Sequence, residues 1–401
     1  MPAPKFDGLI CIGGEDWWYH NRGHFDFQIM RRIAKRMPVL FVNSIGVRMP
    51  HLGASVVDSR QFAAKIGRKL KSWSNGLVNV ENQFWVLSPV SVPGSMGQAL
   101  SSWALAPQIT RAARAAGIMR PVLWVHCPAG APLIDQIASQ AVVMQRTDRF
   151  EAFPEAAGSG IADRIARLKM RADLVIYCAP HLMAEEKSSV RRQLLVTHGV
   201  DLATFVSAGD ATGGEPDDMI GLSRPRVGFI GGIDAHTFDP PLYLDVARRM
   251  PEAAFVLVGG CSLPDGWSAS APNVILLGRK PYDDIARYMA AMDVLIMPWN
   301  GSDWIKACNP IKLKEYLAVG RPVVTTDFPA LDGWRDLVSV AGDADTFAAA
   351  IRAALATRHD AAAARKKVSG ETWDAKADLV LATLDQLVDR GADDRWIATV
   401  A

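Results

Sequence analysis

One stretch near the C-terminal end, CNPIKLKEYLAVGRPVVTT, combines a cation and a carboxylate with strong signals for a short helix. Asn309 is a favoured helix N-cap, and Pro310 is favoured at the first helical position. Gly320 is the residue type expected just past a helix end. The spacing therefore predicts a helix of about nine residues that begins at Pro310. Lys312 and Glu315 are three residues apart, so both side chains should share one face of that helix.

The N-terminus of this predicted helix suits a diphosphate. Free backbone N–H groups around Ile311 and the positive end of the helix dipole attract anions, and Lys312 adds a full charge. The carboxylate of Glu315 can accept two hydrogen bonds from the hydroxyls of a ribose. The turn therefore indicates a site for a nucleoside diphosphate. An ordinary surface ion pair between Lys312 and Glu315 on a capped helix explains the stretch equally well.

A second polar segment, GGEDWWYHNRGHFDF, follows the first predicted strand. Its two glycines let the backbone pass close to a ligand, which makes Gly14 a binding candidate, but a GxGxxG dinucleotide fingerprint is absent. Because aromatic faces stack on ring-shaped ligands, Asp16, Trp17, Trp18 and His24 are candidates for a binding site. His20 is a candidate general base. Ordinary packing of the two tryptophans is the alternative.

The same segment also has a spacing that suits a metal, since His20 and His24 are four residues apart and Asp16 precedes them. No further ligand spacing supports that reading, and we expect no metal. We likewise expect no cofactor.

The best candidate for a catalytic base lies in QRTDRFEAFP. Asp148 follows the predicted strand AVVMQRT at its C-terminal end, and Glu151 is the alternate. Asp148 would otherwise pair with Arg146 or Arg149, or cap the following turn.

Short apolar runs rich in Val, Ile and Leu alternate with longer segments of helical period, a pattern typical of parallel sheets covered by helices on both faces. The first series of predicted strands is GLICIGG, PVLFVNS, NQFWVLSPV, PVLWVHCP, AVVMQRT, ADLVIYCA and LLVTHGV. The second series is RVGFIGGI, AAFVLVGG, NVILLG, VLIMPW, RPVVTT and LVSVAG. A chain of 401 residues is also too long for one compact core.

The predicted fold class is therefore α/β, with two doubly wound Rossmann-like domains that face each other across a cleft at the C-terminal ends of their strands. Residues 1–205 form the first domain and residues 224–370 the second. Residues 206–223 are rich in Gly, Asp, Ser and Pro, which favours a linker. Residues 371–401 form a last helix that either stays with the second domain or crosses back to the first.

The composition excludes several partners. The 44 Lys plus Arg residues nearly balance the 42 Asp plus Glu residues, and a net charge of +2 gives no reason to expect a nucleic acid. The five cysteines form no CxxC pair, which suits a reducing compartment. No apolar run approaches the roughly 20 residues that span a bilayer, and no signal peptide is evident. We expect a cytoplasmic protein.

One basic segment points to a membrane surface. RQFAAKIGRKLKSW, residues 60–73, places apolar residues on one helical face and five basic residues around it. This composition is typical of a helix that lies on an anionic membrane, and a polyprenyl-linked acceptor at the inner face of the cell membrane would explain it. The alternative is a basic amphipathic helix that packs on the sheet with its charges in water.

The stretch NPIKLKEYLAVGRPVV resembles the donor-binding helix of GT-B glycosyltransferases of the group 1 type. GFIGGIDAHTFDPPLYLDVARRMPEAAFVLVGG and THGVDLATF resemble other parts of the same enzymes, so the resemblance covers about residues 195 to 340. It implies a nucleotide-sugar donor on the second domain, with Glu315 at the ribose and Lys312 at the diphosphate. Further donor-binding candidates are Gly231, Gly232, Arg279 and Trp299. The first domain would bind the acceptor, a sugar, with Asp16, Trp17, Trp18 and His24 as the candidate acceptor-site residues.

Two departures weaken the resemblance to retaining enzymes. The position eight residues before Glu315, where those enzymes have a second Glu, is Ala307. The segment GGIDAHTFD also lacks their Arg and Lys. It is similar instead to the inverting glucuronosyltransferase of xanthan assembly and related exopolysaccharide enzymes. This similarity implies a UDP-sugar such as UDP-glucuronate, a glycan or polyprenyl-linked saccharide acceptor, and a base in the first domain, with Asp148 foremost.

Three alternatives stay open at this stage. A retaining GT-B transferase would need no base. A nucleotide-sugar 2-epimerase would need carboxylates crowded around one sugar carbon, and that crowding is not evident. A catalytically silent scaffold that binds a nucleotide sugar is the third, and Ala307 favours it.

Overall fold

The computed structural model describes residues 5–20, 22–45, 67, 71–90, 95–152, 160–211, 214–390 and 397–398. The chain divides into two compact units. Unit 1 consists of Met1–Thr197 and Asp374–Ala401, and unit 2 of His198–Trp373.

The strands are, in chain order, β1 Gly8–Ile12, β2 Val39–Val42, β3 Leu77–Glu81, β4 Phe84–Leu87, β5 Pro121–Val125, β6 Ala141–Arg146, β7 Leu174–Tyr177, β8 Gln193–Leu195, β9 Arg226–Ile230, β10 Ala254–Val258, β11 Val274–Gly278, β12 Val294–Met297, β13 Val323–Thr325, β14 Ser339–Val340 and β15 Ile397–Ala398. The α-helices are α1 Phe25–Ile33, α2 Ser95–Ala115, α3 Ile161–Arg171, α4 Pro180–Glu185, α5 Leu202–Asp210, α6 Pro240–Arg249, α7 Ile285–Ala290, α8 Asp303–Ala307, α9 Ile311–Val319, α10 Ala344–Ala356, α11 Ala361–Val368 and α12 Trp373–Arg390.

Unit 1 is built on a sheet with the strand order β15-β8-β7-β6-β5-β1-β2-β4-β3. Every pairing is parallel except that of β3 with β4. The central strands are apolar and buried along their whole length, because helices cover both faces of a parallel sheet. The loops after β1, β5 and β6 therefore emerge at the same edge.

Unit 2 is built on a six-stranded parallel sheet with the order β11-β10-β9-β12-β13-β14. Its first strand, β9, lies between β10 and β12, so the chain winds outward in both directions from it. The carboxyl ends of these strands form the crevice where doubly wound sheets bind ligands. Residues 298–310, which include α8, follow β12 at that edge and lead into α9.

The predicted α/β fold class with two parallel-sheet domains is confirmed. All thirteen predicted strands are present, and the sequence pattern missed β3 and β15. β3 is only half-buried and pairs antiparallel at the edge of its sheet, so it lacks the continuous apolar run of a central strand.

The boundary between the domains differs from the prediction. Residues 206–223 belong to unit 2 and are not a linker. Helix α5 begins before this segment, at Leu202, and ends within it, and a turn at Asp217–Met219 follows. The apolar side chains of Phe205 and Met219 are buried in the core of unit 2, which fixes a segment that is otherwise polar. Asp374 and the residues after it, which include most of α12, group with unit 1.

The basic segment 60–73 lies mostly outside the described residues. Only Gly67 and residues 71–73 of it are described, and they are helical. Ser72 is buried and Trp73 is half-buried, so this end of the segment faces protein. In the described part of the chain, no helix combines the length and the apolar composition that a membrane crossing requires.

Candidate functional site

Helix α9 begins one residue later than the sequence predicts. Pro310 occupies the N-cap position and Asn309 precedes it, so the prediction of Asn309 as N-cap is wrong. Proline has no N–H of its own, and no side chain caps this end, which leaves the first backbone N–H groups of the helix available. The helix ends at Gly320, which has the left-handed φ of 80° that glycine adopts without a Cβ penalty.

Lys312 lies over aromatic rings rather than on an open surface. Its Nζ atom is 5.3 Å from the ring centroid of Trp299 and 5.9 Å from that of Phe229. It also passes over Gly231, where a Cβ atom would lie only 2.2 Å from Lys312 Cε. Burial lowers the pKa of Lys312. The ammonium group is thus held at the loop after β9, beside the start of its own helix.

Glu315 is the buried carboxylate of this helix. It is 4% exposed, and the hydroxyl of Tyr282 donates to its Oε1 atom at 3.3 Å. Burial raises the pKa of Glu315 to about 7, although the charge of Lys312 and the bond from Tyr282 act in the opposite direction. The alternative interpretation of this stretch was a surface ion pair between Lys312 and Glu315. It is wrong, because Glu315 is buried and Lys312 is half-buried.

Two glycine pairs lie at the ends of neighbouring parallel strands. Gly231 and Gly232 follow β9, and Gly259 and Gly260 follow β10. A Cβ at Gly259 would lie 1.7 Å from the carbonyl oxygen of Gly231, and one at Gly260 would lie 2.5 Å from Arg279 Nε. The two loops are therefore packed backbone to backbone, with the exposed Arg279 against the second. Sequence reasoning missed this second pair, although its motif FVLVGG matches the GFIGG of the first.

The residues of unit 2 thus combine a cation, a free helix N-terminus, a buried carboxylate and side-chain-free backbone at one edge of the sheet. The first two features bind an anion. An ionised Glu315 accepts hydrogen bonds from two hydroxyls. Such a set suits a ligand with a diphosphate and a sugar diol.

Unit 1 contains a buried histidine–aspartate pair that the sequence analysis missed. His126 follows β5, is 10% exposed, and its Nδ1 atom lies 3.0 Å from Oδ2 of Asp26 in α1. Asp26 is fully buried and also accepts hydrogen bonds from the backbone N–H groups of Gly14 and Phe27. Gly14 serves this pair rather than a ligand, because a Cβ there would lie 2.8 Å from the imidazole of His126.

The signal that could have revealed this pair was a histidine directly after the apolar run PVLWV, at a strand end. Its partner in α1 carries no local signal. Burial disfavours both charged forms, but their mutual attraction outweighs it. The pKa of Asp26 is therefore lowered and that of His126 is raised.

Asp148, the predicted base, lies close to this pair at the end of β6. His126 Nε2 is 3.2 Å from Oγ1 of Thr147, the residue before Asp148. Burial raises the pKa of Asp148, and this effect outweighs the charge of His126 and a hydrogen bond from Thr147. Arg146 donates to the main-chain oxygen of Asp148 at 2.8 Å rather than pairing with its carboxylate. A carboxylate with a raised pKa suits a general base.

Glu151, the alternate base, is not available for proton transfer. Its two oxygens accept hydrogen bonds from the buried guanidinium of Arg146 at 2.5 and 2.9 Å. Burial opposes ionisation, but this ion pair outweighs it and lowers the pKa of Glu151. Arg149 pairs with Glu185 instead. The prediction for Glu151 is therefore wrong, because it stabilises Arg146.

Three of the predicted acceptor-site residues are used by the fold. Asp16 is buried and accepts hydrogen bonds from Trp18 N and Ser72 Oγ. Trp17 is buried in edge contact with Phe27, and Trp18 Nε1 donates to Ser88. These side chains hold the loop after β1, and the rings of buried Trp17 and half-buried Trp18 are engaged within unit 1. Their packing follows from long-range contacts that the local sequence does not show.

The two predicted histidines of that loop differ. His20 Nε2 lies 3.0 Å from a carboxylate oxygen of Glu15, and this bond raises the pKa of His20. The carboxylate of Glu15 thus engages the Nε2 atom of His20, the candidate base. His24 is exposed at the N-cap of α1, and its charge acts on both Asp26 and Asp148. Among the described residues, no three His, Cys, Asp or Glu side chains are grouped as a metal site requires.

Comparison with known proteins agrees with this geometry. Residues 224–357 match the family model described as "Glycosyl transferases group 1". A curated relative, a putative teichuronic acid biosynthesis glycosyltransferase, TuaH, from Bacillus subtilis (strain 168), is 29% identical over 234 residues. That match covers 53% of this chain and 56% of the relative, so this chain spans about half the length of that protein.

Solved structures extend the likeness to nearly the whole chain. Sucrose-phosphate synthase from Thermosynechococcus elongatus has a TM-score of 0.69 at 15% identity, over 96% of this chain and 100% of that one. Anabaena HepE in complex with UDP-glucose has a TM-score of 0.65 at 13% identity, over 95% and 100%. At such identities the likeness shows the fold alone. Residues 224–357 are therefore a group 1 glycosyl transferase domain, and the chain that carries them has the GT-B fold.

Proposed function

We propose that this protein is a glycosyltransferase that moves a sugar from a UDP-sugar to a glycan or polyprenyl-linked saccharide during polysaccharide assembly. The observation that carries the proposal is the position of Lys312 and Glu315. Lys312 lies in the first turn of α9 against the glycine loop after β9, and Glu315 lies one turn further along the helix, in a domain that matches the glycosyl transferases. The Anabaena protein of the same fold binds UDP-glucose, which supports a UDP-sugar as the donor.

In this proposal unit 2 binds the donor. The diphosphate lies against the first N–H groups of α9 and the ammonium of Lys312, which stabilise the negative charge of the leaving UDP. The carboxylate of Glu315 accepts hydrogen bonds from the ribose hydroxyls, and Gly231 and Gly232 leave room for the phosphates. No metal is needed, because the helix end and Lys312 supply the positive charge.

A uronic acid donor, UDP-glucuronate, is the specific substrate that we propose. Arg279 is exposed beside Gly260 and offers a cation for the carboxylate of such a sugar. Lys306, a second basic residue near α9, is instead paired with Asp303 at 2.9 Å. The name of the Bacillus relative, which refers to teichuronic acid, supports the same class of donor.

The transfer is proposed to invert the anomeric centre. The acceptor hydroxyl attacks the anomeric carbon, the bond from that carbon to the diphosphate oxygen breaks, and Asp148 takes the hydroxyl proton. The polyprenyl-linked acceptor and the composition of residues 60–73 place the reaction at the cytoplasmic face of the membrane in this proposal.

Calorimetry with UDP, GDP and ADP, without added metal, tests the donor site. We expect selective UDP binding in the wild type and a loss of at least about tenfold in Lys312→Ala, since an ion pair with a phosphate is removed. Glu315→Gln should also weaken UDP binding. The control is Lys306→Ala, an exposed lysine of the neighbouring helix α8, which should bind UDP normally. Equal affinities in all four proteins would contradict the proposed donor site.

The base is tested with Asp148→Asn in assays with UDP-glucuronate and UDP-glucose. Removing the general base should lower turnover by about 10²- to 10⁴-fold while UDP affinity is kept. Asp163→Asn, an exposed aspartate of α3, is the control. A fully active Asp148→Asn enzyme would point to a retaining transferase without a base. UDP binding without any turnover in the wild type would favour a silent scaffold, the reading that Ala307 keeps open.

A further inference from the structure

Tyr282 is the residue through which the fold contacts the buried carboxylate of Glu315. Its hydroxyl donates to Oε1 of Glu315 at 3.3 Å. In the part of the chain that the structure describes, no second hydrogen bond reaches this carboxylate, so Oε2 has no partner from the fold. An oxygen without a partner on a side chain that is only 4% exposed is costly unless a ligand binds it.

The segment that carries Tyr282 is fixed on both sides of this residue. Strand β11 ends at Gly278, whose left-handed φ of 71° turns the chain. Lys280 Nζ then pairs with a carboxylate oxygen of Asp218 at 2.5 Å, and the hydroxyl of Tyr288 donates to the other oxygen at 2.7 Å. The hydroxyl of Tyr282 is therefore held in place before a ligand binds.

The carboxylate of Glu315 depends on this bond for its orientation and its charge. The terminal torsion of a glutamate side chain is soft, so one hydrogen bond decides which way the two oxygens face. Burial raises the pKa of Glu315, while the charge of Lys312 and the bond from Tyr282 oppose it. Tyr316, the next residue of α9, is engaged elsewhere, because its hydroxyl accepts from the backbone N–H of Ile230 at 2.9 Å.

We propose that Tyr282 is the positioning residue that makes the donor site selective for a ribose with both hydroxyls. This inference rests on the proposed function, in which Glu315 binds the ribose. Tyr282 occupies one lone pair of Oε1 and turns the remaining lone pairs of the carboxylate toward the ribose diol. An ionised carboxylate has about four lone-pair sites, so it accepts from Tyr282 and from both hydroxyls at once. Tyr282 thus acts through Glu315.

Calorimetry with UDP and with dideoxy-UDP, which lacks both ribose hydroxyls, tests the inference in the full-length protein. Wild type should bind dideoxy-UDP about a hundredfold more weakly than UDP, because two hydrogen bonds to a charged group are lost. Tyr282→Phe keeps the ring and removes the bond to Glu315. Its UDP affinity should fall about tenfold, while its dideoxy-UDP affinity should stay within about twofold of the wild type. Equal losses for the two nucleotides, or an unchanged UDP affinity, would overturn the inference.

The pH dependence of UDP binding gives a second readout. Tyr282→Phe removes a donor to the ionised form of Glu315, so the pKa of Glu315 should rise further. The increase in UDP affinity with pH should therefore move to higher pH, by about half a unit or more. A tyrosine with a structural role alone would lower the affinity equally at every pH, and that result would contradict the inference.

A double variant shows whether Tyr282 acts through Glu315. Glu315→Ala removes the whole carboxylate, so adding Tyr282→Phe should weaken UDP binding no further. Losses that multiply would contradict the inference. The control is Tyr243→Phe, which removes a buried hydroxyl of α6 that has no hydrogen-bond partner among the described residues. It should bind both nucleotides as the wild type does.

The same measurements separate this inference from the proposed function. A wild type that does not bind UDP would overturn the donor site and this inference together. UDP binding that does not change in Tyr282→Phe would overturn this inference alone. Absence of sugar transfer, together with the expected binding results, would contradict the proposed transferase and still support the role of Tyr282.

Discussion

At the scale of single residues, four carboxyl groups of this protein differ only in their surroundings. Asp26 and Glu151 have lowered pKa values because each is bound by a cation, His126 and Arg146 respectively, which outweighs the cost of burial. Asp148 and Glu315 have raised pKa values because burial dominates. The first pair are engaged as anions by the fold, and the second pair are the groups to which the proposed function assigns roles.

Glu315 should make donor binding and stability respond to pH in opposite ways. Its folded pKa of about 7 lies above the ordinary value of 4.5, so the folded state keeps a proton that the unfolded state releases. The free energy of unfolding should therefore fall as pH rises from 4.5 to 7, by about 3 kcal/mol from this group. UDP affinity should rise over pH 6 to 8, because the ionised form accepts both ribose hydrogen bonds.

Urea unfolding and calorimetry of Glu315→Gln at pH 5 and pH 8 check both effects. The gain in the free energy of unfolding of Glu315→Gln over the wild type should be larger at pH 8 than at pH 5. The rise in UDP affinity between pH 6 and pH 8 should be absent in this variant. An equal gain at both pH values would show that Glu315 is ionised throughout.

Arg146 should be the most costly single residue to replace in unit 1. It is fully buried between Glu151 and Glu186, and its loss would leave two carboxylates without their main partner. We expect Arg146→Met to lower the free energy of unfolding by about 3 to 5 kcal/mol. The matched control is Arg149→Met, which breaks the exposed pair with Glu185 and should cost about 1 kcal/mol or less. Chemical denaturation measures the free energy of unfolding of both variants. Similar losses in the two would contradict the prediction for Arg146.

At the scale of elements, the proposed donor site depends on two loops. They touch each other at glycines, so their backbones are in direct contact. The glycine pair after β9 supports Lys312, and the pair after β10 packs on the first. Parallel strands bring these loops together because their carboxyl ends share one edge of the sheet. The proposed donor site therefore consists of this sheet edge together with α9.

Alanine at the two loops should separate binding from folding. In Gly231→Ala the new Cβ meets the flexible end of Lys312, which can move, but the φ of 158° at this position adds backbone strain. UDP affinity should therefore fall about tenfold, with a loss of stability similar to that of Gly266→Ala. In Gly259→Ala the Cβ meets the backbone of Gly231, which cannot move. The free energy of unfolding of unit 2 should therefore fall by about 2 kcal/mol or more. Gly266→Ala has no neighbour within 4 Å but a positive φ of 76°, and it serves as the control for backbone strain alone. Calorimetry and thermal unfolding measure the three variants.

At the scale of the whole molecule, each unit has its own sheet, its own core and its own set of polar residues at the strand ends. Unit 2 holds the anion-binding features, and unit 1 holds the acid–base groups. Lys314 ties α9 to both ends of unit 2, because its Nζ lies 2.5 Å from the carbonyl oxygen of His198 and 2.5 Å from Glu371. Helix α9 is therefore fixed at the two points where the chain enters and leaves this unit.

Hydrogen exchange with and without UDP should assign donor binding to one unit. At a UDP concentration of 100 times Kd, binding adds about 2.7 kcal/mol to the stability of the bound state. We expect slower exchange in the loops after β9 and β10 and at the start of α9, together with a higher melting temperature of unit 2. GDP at the same concentration is the control for selectivity. Protection confined to unit 1 would contradict the assignment of the donor site.

The sequence by itself determined the two parallel sheets, because a buried central strand needs a continuous apolar run that is legible without any structure. It also determined the donor helix, since Pro310, Gly320 and the face shared by Lys312 and Glu315 are local features. Only the tertiary structure decided which polar residues are free for chemistry. Trp17, Asp16 and Glu151 have the residue types of a site, but in the fold they are engaged by Phe27, Ser72 and Arg146 respectively. The pair of His126 and Asp26 is one hundred positions apart in the chain, and only the closing of the sheet against α1 brings these two side chains together.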